Sequence, residues 1–252
     1  MITIPKSDID KENRRHSLFG VPIDCLSYKE VIRLIEQYIE SKKQAQIVTS
    51  DSAGIVIAQQ DPEFLKIIQQ ASIVTPDSSG VVWALRRKLK RKVERVSGVD
   101  LVEILCELSH KKGYRIYFLG SQPGVADKAA ENLKKKYPNC NIVGTHHGYF
   151  GSEDDYKVAK EIAVTKPDVL FVAMGMPRQE MFIHQNLEIT KAYVAMGVGG
   201  SLDVFSGKAK RAPQFVQSLG IEWLWRFIQN PRKLYKIKLL PKYVSMVLRS
   251  RD

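Results

Sequence analysis

Short apolar, β-branched runs alternate with amphipathic stretches along most of this chain. Gln46–Thr49, Ser72–Thr75, Tyr114–Leu119, Asn141–Thr145, Val169–Met174 and Ala192–Met196 read as strands. The stretches between them carry helix start signals. Ser27-Tyr28-Lys29-Glu30 is a capping box ahead of a helix to about Lys43. Asp61-Pro62 sets an N-cap before a proline at the first helical position. Pro123 opens a helix expected to reach Lys136 and stop before Pro138. This alternation predicts an α/β fold, a largely parallel sheet with helices on both faces. Right-handed crossovers then gather the ligand-facing loops on one rim, at the carboxyl ends of the strands.

The pattern changes after Gly200. No further strand is evident, and Pro213, Pro231 and Pro241 divide the rest into short helical pieces. Charge sharpens that division. The 252 residues carry a formal net charge of +12, and Val204 to Asp252 holds eleven Lys/Arg against two Asp/Glu. Leu234, Tyr235, Ile237, Leu239 and Leu240 alternate there with the cations. A second block, Arg86 to Arg95, has seven basic residues and one acidic. Basic surface attracts nucleic acid, anionic lipid or phosphorylated substrates, and a plain solvated face is the alternative.

Residues 1–16 are polar and charged, with no apolar core segment, and read as a mobile tail rather than a signal peptide. No apolar run is long enough to span a bilayer. Cys25, Cys106 and Cys140 lie far apart in sequence without paired metal or redox spacing, which suits a reducing compartment. A cytoplasmic protein is expected.

Candidate chemistry sits in the loops of the predicted rim. Met196-Gly197-Val198-Gly199-Gly200-Ser201-Leu202-Asp203 follows an apolar strand, where glycines let backbone N–H groups approach a phosphate. A tight strand-to-helix turn without ligand explains the glycines equally well. The dinucleotide fingerprint fails because Leu202 stands at its third glycine, and the P-loop spacing is also absent. Asp77, in Thr75-Pro76-Asp77-Ser78-Ser79-Gly80, is either a general base at a strand end or a helix N-cap. Asp51 has the same ambiguity, and Thr49 either positions an acceptor hydroxyl or closes a turn. His146 and His147 should point to opposite sides of an extended chain, and no further ligand completes a metal set. Tyr149 is placed to stack a base, whereas Phe150 reads as core. Gln179, at a helix start, both donates and accepts, and fits a ligand contact better than Glu180.

Taken in order, these loops resemble the WecG/TagA/CpsF glycosyltransferase family over roughly Phe19 to Pro241. The telling pieces are Thr75-Pro76-Asp77, Arg95-Val96-Ser97-Gly98-Val99-Asp100-Leu101, Phe118-Leu119-Gly120, Gly144-Thr145-His146-His147-Gly148-Tyr149-Phe150 and Pro177-Arg178-Gln179-Glu180. The glycine stretch, Arg211-Ala212-Pro213 and Gly220-Ile221-Glu222-Trp223-Leu224-Trp225-Arg226 continue the match. The resemblance implies a Rossmann-like domain over residues 17–203, a basic helical appendage over 204–252 and a flexible tail before them. It implies inverting transfer of a hexosamine-type sugar, such as N-acetylmannosamine, from a UDP donor without a metal or other cofactor. The acceptor would be a sugar on undecaprenyl diphosphate at the inner membrane face, in cell-surface polysaccharide or teichoic acid synthesis.

By the same resemblance Asp77 is the general base, with Thr49 beside it and Gln179 as a polar active-site residue. Arg226 is expected to neutralise the leaving diphosphate, with Arg232 behind it. The substrate-binding set is completed by Asp51, Gly120, Tyr149, Gly199, Gly200 and Asp203, with Tyr149 and Asp203 at the uridine. The family commonly has Asn at the position of Asp51 and Gly at that of Ser78. The expected partners are the donor, the lipid-linked acceptor and an anionic membrane surface; a homo-oligomer stays open. A nucleic-acid-binding protein would account for the charge but not for the rim of Asp- and Gly-bearing loops. A nicotinamide-dependent oxidoreductase conflicts with the broken fingerprint.

Overall fold

A computed structural model describes residues 14–213, 215–216, 224–225 and 238–250. The described residues open with a hairpin where no strand was expected. Its strands are β1 (Arg15–Leu18) and β2 (Val21–Asp24), paired antiparallel. Arg15 and His16, expected in the tail, lie in β1. The connecting Phe19 and Gly20 both have positive φ, 54° and 79°, as a two-residue hairpin turn requires. Phenylalanine is a rare occupant of that position, so the turn carries no Asn-Gly or Asp-Gly signal.

After the hairpin come α1 (Tyr28–Glu40), β3 (Ala45–Ser50), α2 (Ser52–Ala58), α3 (Pro62–Gln70), β4 (Ile73–Pro76) and α4 (Ser79–Leu89). Next are α5 (Gly98–Lys112), β5 (Ile116–Gly120), α6 (Val125–Lys136), β6 (Ile142–His146), α7 (Asp155–Val164) and β7 (Val169–Ala173). The described elements end with α8 (Arg178–Thr190), β8 (Val194–Gly197), α9 (Ser201–Phe205) and α10 (Leu240–Arg249). All six expected strands form, each shifted by no more than two residues at either end. They make one parallel sheet in the order β4-β3-β8-β7-β5-β6.

The helix signals hold locally. Ser27 and Glu30 cap each other's backbone, and Val31, Ile35 and Ile39 bury one stripe of α1. Asp61 accepts from the Phe64 N–H at 2.9 Å, with Pro62 at the first helical position. The helix expected from Pro123 starts at Val125 instead. Gly124 takes φ 80°, which keeps Pro123 and Gly124 in a turn.

Strand residues alternate between two layers. Ile47, Phe118, Phe171 and Met196 pack under α1, α5, α6 and α9. Val48 and Val74 pack under α2, α3, α4 and α10, while Leu119, Val172 and Ala195 pack under α7 and α8. The first layer also joins Cys106 of α5 to Cys140, whose side chains hydrogen-bond despite their separation in sequence. That hydrogen bond and burial push the Cys106 thiol well above its ordinary range. The two cysteines are thus neighbours in space, which spacing along the chain could not reveal.

The hairpin closes the β4 edge. Asp24 is fully buried, and its carboxylate accepts the Val74 N–H at 2.8 Å. Arg15 grips the same carboxylate at 2.9 and 2.7 Å and also donates to the carbonyls of Ala71 and Ser72. A buried carboxylate needs such a set of partners to offset its lost hydration.

Candidate active site

The carboxyl ends of the six strands form one rim, as expected. The rim runs from Asp77 after β4 to Tyr149 after β6, five strand steps or about 24 Å at ordinary spacing.

The β4 side is held by a dense set of hydrogen bonds. The Asp77 N–H donates to the Ser50 carbonyl at 3.0 Å, and its carboxylate accepts the Gly98 N–H at 2.8 Å. Asp77 is therefore not the cap of α4. Ser78 fills that place, accepting from Val81 N–H at 3.3 Å, and it also accepts from Ser52 N–H at 3.2 Å. The half-buried Asp77 side chain instead meets the first turn of α5, an end of a helix that favours negative charge. Asp51 does resolve as a cap, with its carboxylate on the Gly54 N–H at 2.7 Å.

Thr49 is buried and donates its hydroxyl to the Gly197 carbonyl at 2.8 Å. Gly98 fits between these parts because it lacks a side chain. A Cβ there would lie 3.3 Å from Thr49 Cγ2 and 3.6 Å from Val198 Cα. The ends of β3, β4 and β8 and the start of α5 thus converge on Asp77 and Thr49.

Gln179 is 2% exposed, and its amide is engaged on three sides. Its carbonyl oxygen accepts from the Gly175 N–H at 3.1 Å and the Gly199 N–H at 3.0 Å. Its Nε2 donates to buried Glu180 at 2.7 Å. The residue is a strut between the loops after β7 and β8. Gly199, at φ 52°, turns the chain toward that strut, and Gly200 precedes the short α9 that carries half-buried Asp203.

The β6 side is looser. A Cβ on Gly120 would come within 2.5 Å of the Ala173 carbonyl, so only glycine lets this loop lie against β7. Ser121 then accepts from the Gly148 N–H at 2.9 Å. Beyond it Tyr149 stands 64% exposed. Phe150 packs edge-on against Phe182 and His146, as a core residue does. The rings of His146 and His147 lie 4.5 Å apart, not on opposite sides. His147 is past the end of β6, where strand alternation no longer applies. Arg226 and Arg232 lie outside the described residues.

One cluster had no role in the sequence reading. Asp100, in the first turn of α5, accepts from Tyr28 Oη at 2.8 Å, from Ser97 Oγ and from Arg211. Burial works against the charge on Asp100, but the hydrogen bonds from Ser97, Tyr28 and Arg211 together hold its carboxyl below the ordinary range. The cluster pins Arg211, where the chain leaves α9, to the helix whose first N–H binds Asp77. An acidic residue in a first helical turn was the available signal, but its partners are 72 and 111 positions away.

The model of the WecG/TagA/CpsF glycosyltransferase family matches residues 16–252. The chain belongs to this family. A relative from Bacillus spizizenii is 36% identical over 219 residues, covering 87% of this chain and 84% of its own length. One from Bacillus subtilis is 36% identical over 216 residues, covering 86% and 84%. One from Staphylococcus aureus strain MW2 is 31% identical over 236 residues, covering 93% and 92%. Each is named an N-acetylglucosaminyldiphosphoundecaprenol N-acetyl-beta-D-mannosaminyltransferase. Family membership makes this chain a glycosyltransferase, and the rim just described is its candidate active site.

Proposed function

We propose that the protein moves an N-acetylmannosamine-type sugar from a UDP donor to N-acetylglucosamine on undecaprenyl diphosphate, with inversion and without a metal. The product would feed a cell-surface polymer such as teichoic acid. The observation that carries this reading is Asp77, a half-buried carboxylate at a strand end beside Thr49 and the β8 glycine loop. Relatives named for transfer between a mannosaminyl group and a lipid-linked glucosamine support it. So does a rim about 24 Å across, which has room for donor and acceptor side by side.

In this mechanism the acceptor hydroxyl oxygen attacks the anomeric carbon from the face opposite the diphosphate. The new C–O bond forms as the bond to UDP breaks, through an oxocarbenium-like transition state. The hydroxyl proton passes to Asp77, and UDP leaves with the bonding electron pair. The Gly200 N–H of the glycine loop and cations of the C-terminal segment, Arg226 first and Arg232 behind it, meet the charge growing on the diphosphate. Tyr149 stacks on uracil, and Asp203 accepts from the nucleoside. The site faces the inner leaflet, with the basic C-terminal segment on the membrane.

The test is a panel of UDP-sugars with a short-chain polyprenyl-diphosphate N-acetylglucosamine, with and without chelator. Product is scored by mass and its anomeric configuration by NMR. The expected result is one β-linked N-acetylmannosaminyl product, unchanged by the chelator. A retained configuration, a chelator-sensitive rate or transfer only from another sugar nucleotide would overturn the corresponding part of the reading.

A further inference from the structure

Helix α10 packs chiefly on α2 and reaches α4 through Tyr243. Tyr243 is buried, and its hydroxyl donates to the Gly80 carbonyl at 3.1 Å. One turn further along both helices, Val247 lines a cavity of about 230 Å³ together with Ala84 and Arg87.

This pair leaves large apolar side chains in solvent. Trp83 is 40% exposed, Val244 42% and Leu248 56%. Exposed cations surround them. Arg87, Lys88, Lys90 and Lys92 follow Trp83 on α4 and its extension, and Lys242 and Arg249 flank the α10 residues. Exposed apolar side chains, an indole among them, on elements that also carry exposed Lys and Arg, match the headgroup zone of an anionic bilayer. Apolar side chains enter among the acyl chains there, and cations meet lipid phosphates. A nucleic-acid surface would account for the cations but would leave Val244 and Leu248 in water.

We propose that α4, its basic extension and α10 form one docking face for an anionic phospholipid bilayer, with Trp83 as its aromatic anchor. The sheet domain then supplies half of a surface that the sequence reading gave to the C-terminal segment alone. The inference rests on the reading of this protein as a transferase with a lipid-linked acceptor. It also adds geometry to that reading. Trp83 is five positions beyond Ser78, roughly 8 Å of helix rise, so docking brings the β4 end of the rim close to headgroup level. The acceptor would enter from the Asp77 side and the donor from the Tyr149 side.

The experiment uses the full chain and phosphatidylcholine vesicles with or without about a third phosphatidylglycerol. Cosedimentation is compared for wild type, Trp83→Ala and the combined Arg87→Gln, Lys88→Gln, Lys90→Gln, Lys92→Gln protein. The proposal expects binding to anionic vesicles to fall about tenfold or more in the charge variant and several-fold in Trp83→Ala. The emission component lost in Trp83→Phe should shift to the blue when vesicles are added. UDP binding and transfer to a short, soluble acceptor should stay at wild-type levels in all of them, while transfer to a full-length acceptor in vesicles falls. Wild-type vesicle binding by both variants, or an unshifted Trp83 emission, would overturn the proposal, as would loss of DNA binding alone in the charge variant. Absence of any transfer or UDP binding by the wild-type protein would instead fail the underlying functional reading.

Discussion

The two ends of the rim are built on different principles. At the β4 end, Asp77 and Thr49 each hydrogen-bond backbone from another strand end or helix start, and mid-rim Gln179 ties two loops in the same way. At the β6 end, a glycine-dependent backbone approach presents a largely exposed Tyr149. Rigid donors and acceptors cost no reorganisation in a transition state, whereas an exposed ring can settle onto a bound base. In the proposed mechanism the β4 end makes the bond and the β6 end recognises the nucleotide.

The largest effect should come from Asp77→Asn. The amide keeps an oxygen for the Gly98 N–H, so the local fold survives while the proton acceptor is gone. We expect kcat to fall about 10²–10⁴-fold with UDP affinity unchanged by calorimetry. Near-normal turnover would reduce Asp77 to an organiser of α5. Next, Gln179→Ala removes the shared acceptor of Gly175 and Gly199. Two part-buried loop N–H groups then lose their partner, at a cost of about 1–3 kcal/mol in urea unfolding. Turnover should drop with stability. A variant that loses donor affinity alone would make Gln179 a ligand contact after all.

Tyr149→Ala should act at the other end. Loss of one stacking face costs about 1–3 kcal/mol, seen as a donor KM roughly tenfold or more higher with kcat little changed. Tyr149→Phe should behave as wild type. A kcat effect from Tyr149→Ala would blur the proposed division of labour. The smallest effect concerns Asp100. Its carboxyl is held below the ordinary range, so its stabilisation is complete above about pH 3.8 and is lost as pH falls through the folded value. The gap in melting temperature between wild type and Asp100→Asn should therefore shrink on acidification below that pH. A constant gap would mean that the Arg211 contact holds without the charge.

Much of this architecture was legible because its signals are local. Six apolar runs and a capping box name their elements without reference to the rest of the chain, and the rim follows from parallel topology. What stayed hidden depends on contacts across long stretches of sequence. Asp77 is a good cap on paper; the Gly98 N–H that its carboxylate accepts, and the Ser78 hydroxyl on Val81 N–H, take it out of that role. Gln179 reads as a ligand contact because part of its acceptor duty lies at Gly199, twenty positions on. The β1–β2 turn escaped notice because Phe19 occupies a left-handed position that propensity assigns to Asn or Gly. Cys106 and Cys140 met in the core although nothing in their spacing joins them.

The Asp24 carboxylate has a consequence for how copies of this molecule can meet. An exposed sheet edge is a template on which another chain can add a strand. At β4 the Val74 N–H is already taken by a buried, charged acceptor, and Arg15 locks that acceptor in place. A neighbour's strand would have to break a buried ion pair to register there. Sheet-to-sheet extension is thereby blocked at the edge that carries Asp77.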